Sequence, residues 1–180
     1  MVKADFLLLY ALLDDLTPLA GDCGTVCGAS CCGECIPAGS EGRPSGMRLF
    51  PGEAAVLEGE PGFTVLPNDS GGLLVCGGQC SRSRRPLACR FFPLYPYLSE
   101  EGRVRAVYDP RAWRVCPLVR EHIHIPLESA FVRGVRHVGR LLAEDSDCQA
   151  ELRRQAQEID EINRFLRLDE ARSPICRKSP

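Results

Sequence analysis

Five cysteines fall within thirteen residues, in the string Cys23-Gly-Thr-Val-Cys27-Gly-Ala-Ser-Cys31-Cys32-Gly-Glu-Cys35. Thiols this crowded constrain a chain strongly, because they bind metal, form disulfides or carry redox chemistry. Gly21, Gly24, Gly28, Gly33, Gly39, Gly42 and Gly46 argue against a long regular helix across the same stretch. They also let backbone N–H groups approach sulfur closely, which suits a metal-site loop. Cys76, Cys80, Cys89 and Cys116 follow at wider intervals, then Cys148 and Cys176. The total of eleven is odd, so internal disulfides cannot use every cysteine.

Compartment decides between disulfide and metal. A secreted disulfide scaffold is expected to carry a signal peptide. The apolar run Phe6–Leu13 is too short for a bilayer, which takes about 20 residues. Asp5 precedes it and Asp14-Asp15 ends it. The string Leu19-Ala-Gly-Asp22-Cys23 resembles a lipoprotein cleavage site until Asp22, which occupies the position next to the cysteine. The expectation is a cytoplasmic protein with reduced thiols and no membrane segment.

The spacing then points to metal. Tetrahedral thiolate sites hold sulfur at about 2.3 Å from the ion. Three residues separate Cys23 from Cys27, Cys27 from Cys31, and Cys76 from Cys80. Adjacent side chains diverge in most backbone conformations, so Cys31 and Cys32 do not both reach one ion from an ordinary turn. They suit two irons of one cluster, or two metals, better than one simple zinc. The expected ligands are Cys23, Cys27, Cys31, Cys32, Cys76, Cys80, Cys89 and Cys116. The expected cofactor is zinc or iron, with an iron–sulfur cluster among the forms iron would take. Cys35 reads as a spare, Cys148 as a packed thiol on a helix, and Cys176 as a free thiol. A redox dithiol is the competing reading. His122 and His124, two apart, are minor candidates as ligands; His137 reads as surface or packed.

Twenty of the 22 basic residues are arginine, and the net charge is −2. No global field therefore recruits nucleic acid or membrane. Arg82, Arg84, Arg85 and Arg90 sit among three of the cysteines. Guanidinium groups there would offset thiolate charge and donate to sulfur or carbonyls. A nucleic-acid patch with Phe91, Phe92, Tyr95 and Tyr97 as stacking groups is the weaker reading, since Phe-Phe-Pro-Leu-Tyr-Pro-Tyr carries no interleaved charge and looks like core.

The rest of the chain predicts an α+β protein of one compact unit. A helix is expected over 5–16, with Leu9, Leu12, Leu13 and Leu16 inward. Short strands are expected at 47–50, 63–66, 73–75 and 104–108, with a helical turn from Pro51 to Glu58. Helices are expected over 126–144 and 147–168, with Ser146 as a cap. They would form a hairpin, residues 121–180, packed on a cysteine-cluster domain spanning 1–120.

Two motifs together carry a resemblance. The cluster Cys23/Cys27/Cys31-Cys32, followed by Arg85-Pro86-Leu-Ala-Cys89-Arg90-Phe-Phe-Pro93, resembles the cysteine-cluster family called CxxCxxCC or YkgJ-like, over about residues 20–118. That family is described as a zinc- or iron-chelating domain. By position, Cys23, Cys27, Cys31, Cys32, Cys80 and Cys89 match its cysteines, and Cys76 and Cys116 match later, more variable ones. The spacing departs: three residues, where the family has two, precede Cys27 and the pair. The tyrosine common before the Arg-Pro step is replaced by Ser83 and Arg84. The resemblance implies a metal-binding protein. Larger members resemble flagellin lysine methylases, so a cluster-dependent enzyme, methylase-like or redox, is the alternative. A module in which the metal is purely structural is the other.

Overall fold

The computed structural model describes residues 1, 3–32, 46–78, 80–119 and 126–166. Cys35, His122, His124 and Cys176 lie outside the described residues. No helix among the described residues is long and apolar enough to cross a membrane.

The fold is α+β. Helix α1 spans Lys3–Leu12. A short helix, α2, covers Gly24–Cys27, and a single 3-10 turn covers Ser30–Cys32. Strand β1 is Met47–Arg48 and helix α3 is Ala54–Leu57. Strands β2 (Phe63–Leu66) and β3 (Leu73–Cys76) follow. Helix α4 is Leu87–Phe91. Strands β4 (Leu94–Leu98) and β5 (Val104–Tyr108) precede the long helices α5 (Ser129–Leu142) and α6 (Ser146–Leu166).

The strands form two antiparallel sheets. The first has the order β1-β3-β2, with Met47 opposite Leu74 and Phe63 opposite Cys76. Asn68 closes its hairpin, as its side-chain oxygen accepts from the N–H groups of Ser70 (2.9 Å) and Gly72 (2.8 Å). The second sheet is the pair β4-β5, with Leu94 opposite Tyr108 and Leu98 opposite Val104. Strand β4 is absent from the sequence expectation because Pro96 argues against a strand interior. A two-stranded ribbon leaves every second N–H without a ladder partner, so a proline there removes no necessary bond.

Helix α1 buries Phe6, Leu9, Tyr10 and Leu13, spaced i, i+3, i+4 and i+7. Half of the expected stripe is inside: Leu9 and Leu13 are buried, whereas Leu12 is exposed and Leu16 only half-buried. Every position from Phe6 to Leu13 is apolar or aromatic, so periodicity there does not choose a face. The two aromatic rings, with the largest area to bury, decide it. On α5 the stripe Phe131, Val135, Val138 and Leu142 is fully buried. On α6, Cys148, Leu152 and Ile159 are buried, whereas Ile162 is half-buried and Leu166 is exposed. The start of α6 is capped by Asp145 and not by Ser146. The Asp145 carboxylate accepts from the N–H groups of Asp147 (3.2 Å) and Cys148 (3.0 Å).

Both long helices pack mainly on the β4-β5 ribbon, more than on each other. Tyr97 of β4 fastens α6 there by donating to Asp160 at 2.9 Å, and Arg111, in the turn after β5, donates to Gln155 at 3.0 Å. Helix α5 lies close because Gly139 has no side chain. A Cβ at that position would stand 2.4 Å from Pro96 and 2.9 Å from Val104. Gly139→Ala is therefore expected to destabilise the protein by about 1–3 kcal/mol through overpacking, read as a lower denaturation midpoint. On an exposed helix the same change would stabilise by about 1 kcal/mol, so the sign is the check on the docking.

Candidate metal centre

Cys23 precedes α2, and Cys27 is its last residue. Asp22 starts this turn by accepting from the Gly24 N–H at 3.0 Å. Gly28 ends it in the left-handed region (φ 61°), and Ala29 follows there at φ 55°. The reversal leads directly into the turn bearing Cys31 and Cys32. Neither α2 nor that turn contains a buried residue, so the segment lies on the body of the protein without contributing to its core.

The second group reaches the first through the backbone. Cys76 ends β3, and Gly78 follows at φ 80°. A Cβ on Gly78 would meet the Cys32 carbonyl oxygen at 2.8 Å. Glycine is needed there for both the turn and the approach. Cys89 rides on α4. Cys116, buried, follows a 3-10 turn over Pro110–Arg114 and donates its N–H to Ala112 at 2.8 Å.

The expected ligand cysteines are linked electrostatically in a chain of neighbours. Cys23 feels Cys27 and Cys116. Cys31 feels Cys32, Cys27 and Cys89. Cys89 in turn feels Cys32, Cys80 and Cys76. No disulfide joins the nine described cysteines. Among the described residues, no three His, Cys, Asp or Glu side chains are arranged to hold a metal ion.

Desolvation pushes the Cys23, Cys80 and Cys116 thiols up, and Cys89 well up. Cys31 is also raised, first by the hydrogen bond to Cys32 and then by burial. The same bond is the largest influence on Cys32 and draws it down to about 6, with Arg85 adding to the effect against burial. Cys32 is thus the sulfur readiest to lose its proton. Cys148 stands apart: it is fully buried, with burial and then Asp145 pushing it up to about 12, and its thiol lies 3.8 Å from the Pro51 carbonyl.

The arginines divide by role. Arg85 hydrogen-bonds to the Cys80 sulfur and lies near Cys32, while its Nε is buried without a partner. Burial opposes its charge, and the sulfurs outweigh burial, so its pKa rises. Arg82 donates to the carbonyls of Leu13 (3.1 Å), Asp14 and Leu16, just past the end of α1. Arg90, 2 % exposed, donates to the carbonyls of Arg85 (2.7 Å), Ser83 (3.0 Å) and Tyr10 (3.3 Å) and to Asp14 (3.1 Å). Its guanidinium also lies 4.5 Å from the centre of the Tyr10 ring. Phe91 and Tyr95 are buried, which removes both rings from any stacking surface for bases.

One residue that positions the centre was missed. Glu53, fully buried, accepts from the Tyr10 hydroxyl (2.8 Å) and the N–H groups of Phe50 (2.9 Å) and Leu87 (2.6 Å). It therefore fixes the first turn of α4, the helix that carries Cys89, against α1. The sequence reading gave only a helical turn from Pro51 to Glu58 here. The available signal was an acid set between two apolar pairs, Leu49-Phe50 and Ala54-Ala55.

Fold and site together define an α+β protein with a cysteine-rich surface segment folded back on later cysteines. Comparison with family models, with curated proteins and with solved structures finds no match to this chain.

Proposed function

We propose that Cys23, Cys27, Cys31, Cys32, Cys76, Cys80, Cys89 and Cys116 are the ligands of a metal centre holding zinc, iron or an iron–sulfur cluster. The observation that carries this reading is the electrostatic influence that cysteines from separate stretches exert on one another, with the Arg85 guanidinium beside Cys23, Cys32 and Cys80. Soft thiolate donors suit zinc and iron–sulfur clusters. Uptake of metal must displace protons from Cys23, Cys31, Cys80, Cys89 and Cys116, all held as thiols more firmly than a free cysteine. The sulfurs must also draw inward. The segment from Gly24 to Cys32 can do so with little loss of packing, because none of its residues is fully buried and it turns at Gly28. The resemblance to the CxxCxxCC cysteine-cluster family supports the same reading. The metal would hold the two cysteine-bearing halves together and, as a cluster, would supply electron-transfer chemistry.

The test is the zinc, iron and acid-labile sulfide content, with a visible spectrum, of protein purified without oxygen. Iron with sulfide and a brown chromophore means a cluster. Colourless protein with stoichiometric zinc and no sulfide means a closed site for structure or metal handling. Folded protein that neither contains nor takes up metal overturns the proposal and leaves thiol chemistry at Cys31-Cys32.

A further inference from the structure

A cavity of about 320 Å³ opens between the β1-β3-β2 sheet, α4, the β4-β5 ribbon and α6, and none of its lining residues is a cysteine. Met47, Leu73, Ala88 and Phe92 line it and are only half-buried, so their apolar surface is within reach of a guest. Its polar lining comes chiefly from Arg48, Asp109, Arg111, Glu151 and Gln155.

Most of these polar groups are committed to one another. Arg111 holds Asp109 through Nε and Nη2 at 2.8 and 2.7 Å, and its Nη1 donates to the Gln155 oxygen at 3.0 Å. Glu151 is held on both oxygens by Arg154, at 2.9 and 2.6 Å, and accepts from the Gln155 amide at 3.0 Å. Arg48 differs. Its side chain crosses from β1 to α6, where Nη1 donates to Glu158 at 2.7 Å. Glu158 lies three residues beyond Gln155, on the same face of α6. The Arg48 guanidinium therefore stands where the sheet wall of the cavity meets its helix wall. It does not have Glu158 to itself, because the same oxygen accepts from Arg154 at 2.8 Å. Among the described residues, Nε and Nη2 of Arg48 have no hydrogen-bond partner, and neither is sealed in the interior. The side chain is 38 % exposed. These two nitrogens form one edge of the guanidinium, spaced to grip both oxygens of a carboxylate.

We propose that this cavity binds a small aromatic monocarboxylate, with its carboxylate on the Nε–Nη2 edge of Arg48 and its ring against Met47, Leu73 and Phe92. A single charge fits because one guanidinium edge is uncommitted. A second charge would lose its hydration without finding a partner, since Asp109 and Glu151 already occupy Arg111 and Arg154. The volume stands near the lower bound of small-ligand pockets, roughly 300–1,000 Å³, which suits one ring on a short arm. A ring also gives up less conformational freedom than a flexible chain of equal area.

Phenylacetate is the probe. Phenylacetamide, which lacks the charge, and acetate, which lacks the ring, are its controls. Each is titrated into the full chain while the amide NMR signals of Ala88 and of Leu73, opposite Arg48 in the sheet, are followed. Saturable shifts are expected with phenylacetate. Phenylacetamide should bind roughly 10-fold more weakly, the difference between a charge-assisted and a neutral hydrogen bond. Acetate should also bind at least about 10-fold more weakly, for want of a ring to bury. Arg48→Gln removes the charge and the fork. The ion pair with Glu158 that it breaks is exposed and contributes little to stability, so the variant should fold. It should bind phenylacetate and phenylacetamide alike. Absence of saturable shifts with phenylacetate overturns the site. Equal affinity for phenylacetamide overturns the carboxylate, and equal affinity for acetate overturns the apolar lining. A preference for phenylacetate that survives in folded Arg48→Gln overturns the role of Arg48.

Discussion

Cys89→Ala protein is expected to come through purification without its metal, while Cys148→Ala keeps a full complement. Cys89 lies among Cys32, Cys80 and Cys76, so its sulfur is central to the proposed ligand set. Losing a ligand should weaken binding beyond the roughly 10–100-fold that follows loss of a ligand's hydrogen-bond partner. Cys31→Ala is expected to release metal as well. Cys148 faces the core beside Pro51, and its loss should cost packing alone. Metal analysis of the three variants, with circular dichroism to confirm folding, makes the comparison. Equal metal in all three would sink the ligand assignment.

Glu53→Ala is expected to have the largest effect on stability. The change strands the Tyr10 hydroxyl and the N–H groups of Phe50 and Leu87 in the interior. Each buried donor left without an acceptor costs about 1–3 kcal/mol. A total of about 4 kcal/mol is expected, a large part of the roughly 5–15 kcal/mol that holds a domain together. Denaturant titration would measure it, and a loss below about 1 kcal/mol would remove Glu53 from its place as a hub.

Glu53→Gln separates charge from hydrogen bonding. Burial raises the Glu53 carboxyl above its usual range, outweighing the three donors that favour the charged form. A carboxyl raised in the folded state contributes its full stability below the unfolded value near 4.5. It loses that contribution as pH climbs through the folded value. The advantage of wild type over Glu53→Gln should therefore shrink as pH rises from 4.5 toward neutrality. A constant difference across that range would mean that Glu53 does not change protonation there.

Local pattern was enough for much of this fold. The β-favouring run Phe63-Thr-Val-Leu66 and three apolar residues at 73–75 marked β2 and β3 because Asn68 and its neighbours could only turn. Phe131, Val135, Val138 and Leu142 named the inner face of α5 because polar residues fill the other faces. Where the pattern was saturated, as from Phe6 to Leu13, it gave a helix without its face. Where a local rule was overridden by context, as at Pro96 in a two-stranded ribbon, the strand was missed. The expected hairpin of α5 and α6 was read from their adjacency, whereas the β4-β5 ribbon takes most of the contacts of both. At the site, cysteine spacing named eight sulfurs to look for in one neighbourhood. Carbonyls were expected as acceptors for the arginines, but neither Glu53 nor the particular carbonyls that Arg82 and Arg90 hold could be read, because those depend on which distant backbone groups arrive unpaired.

Arg82 and Arg90 hold the end of α1 from the same segment that carries Cys80 and Cys89. Helix α1 and the cysteine centre therefore share a boundary condition. Whatever steadies the 80–90 segment also steadies the last turn of α1, and fraying of α1 loosens the hold on the sulfurs. Such coupling is reciprocal. Occupancy of the proposed centre would thus be written into the amide exchange of a helix that contains no cysteine, and a lesion in that helix would be felt as weakened affinity at sulfurs it does not provide.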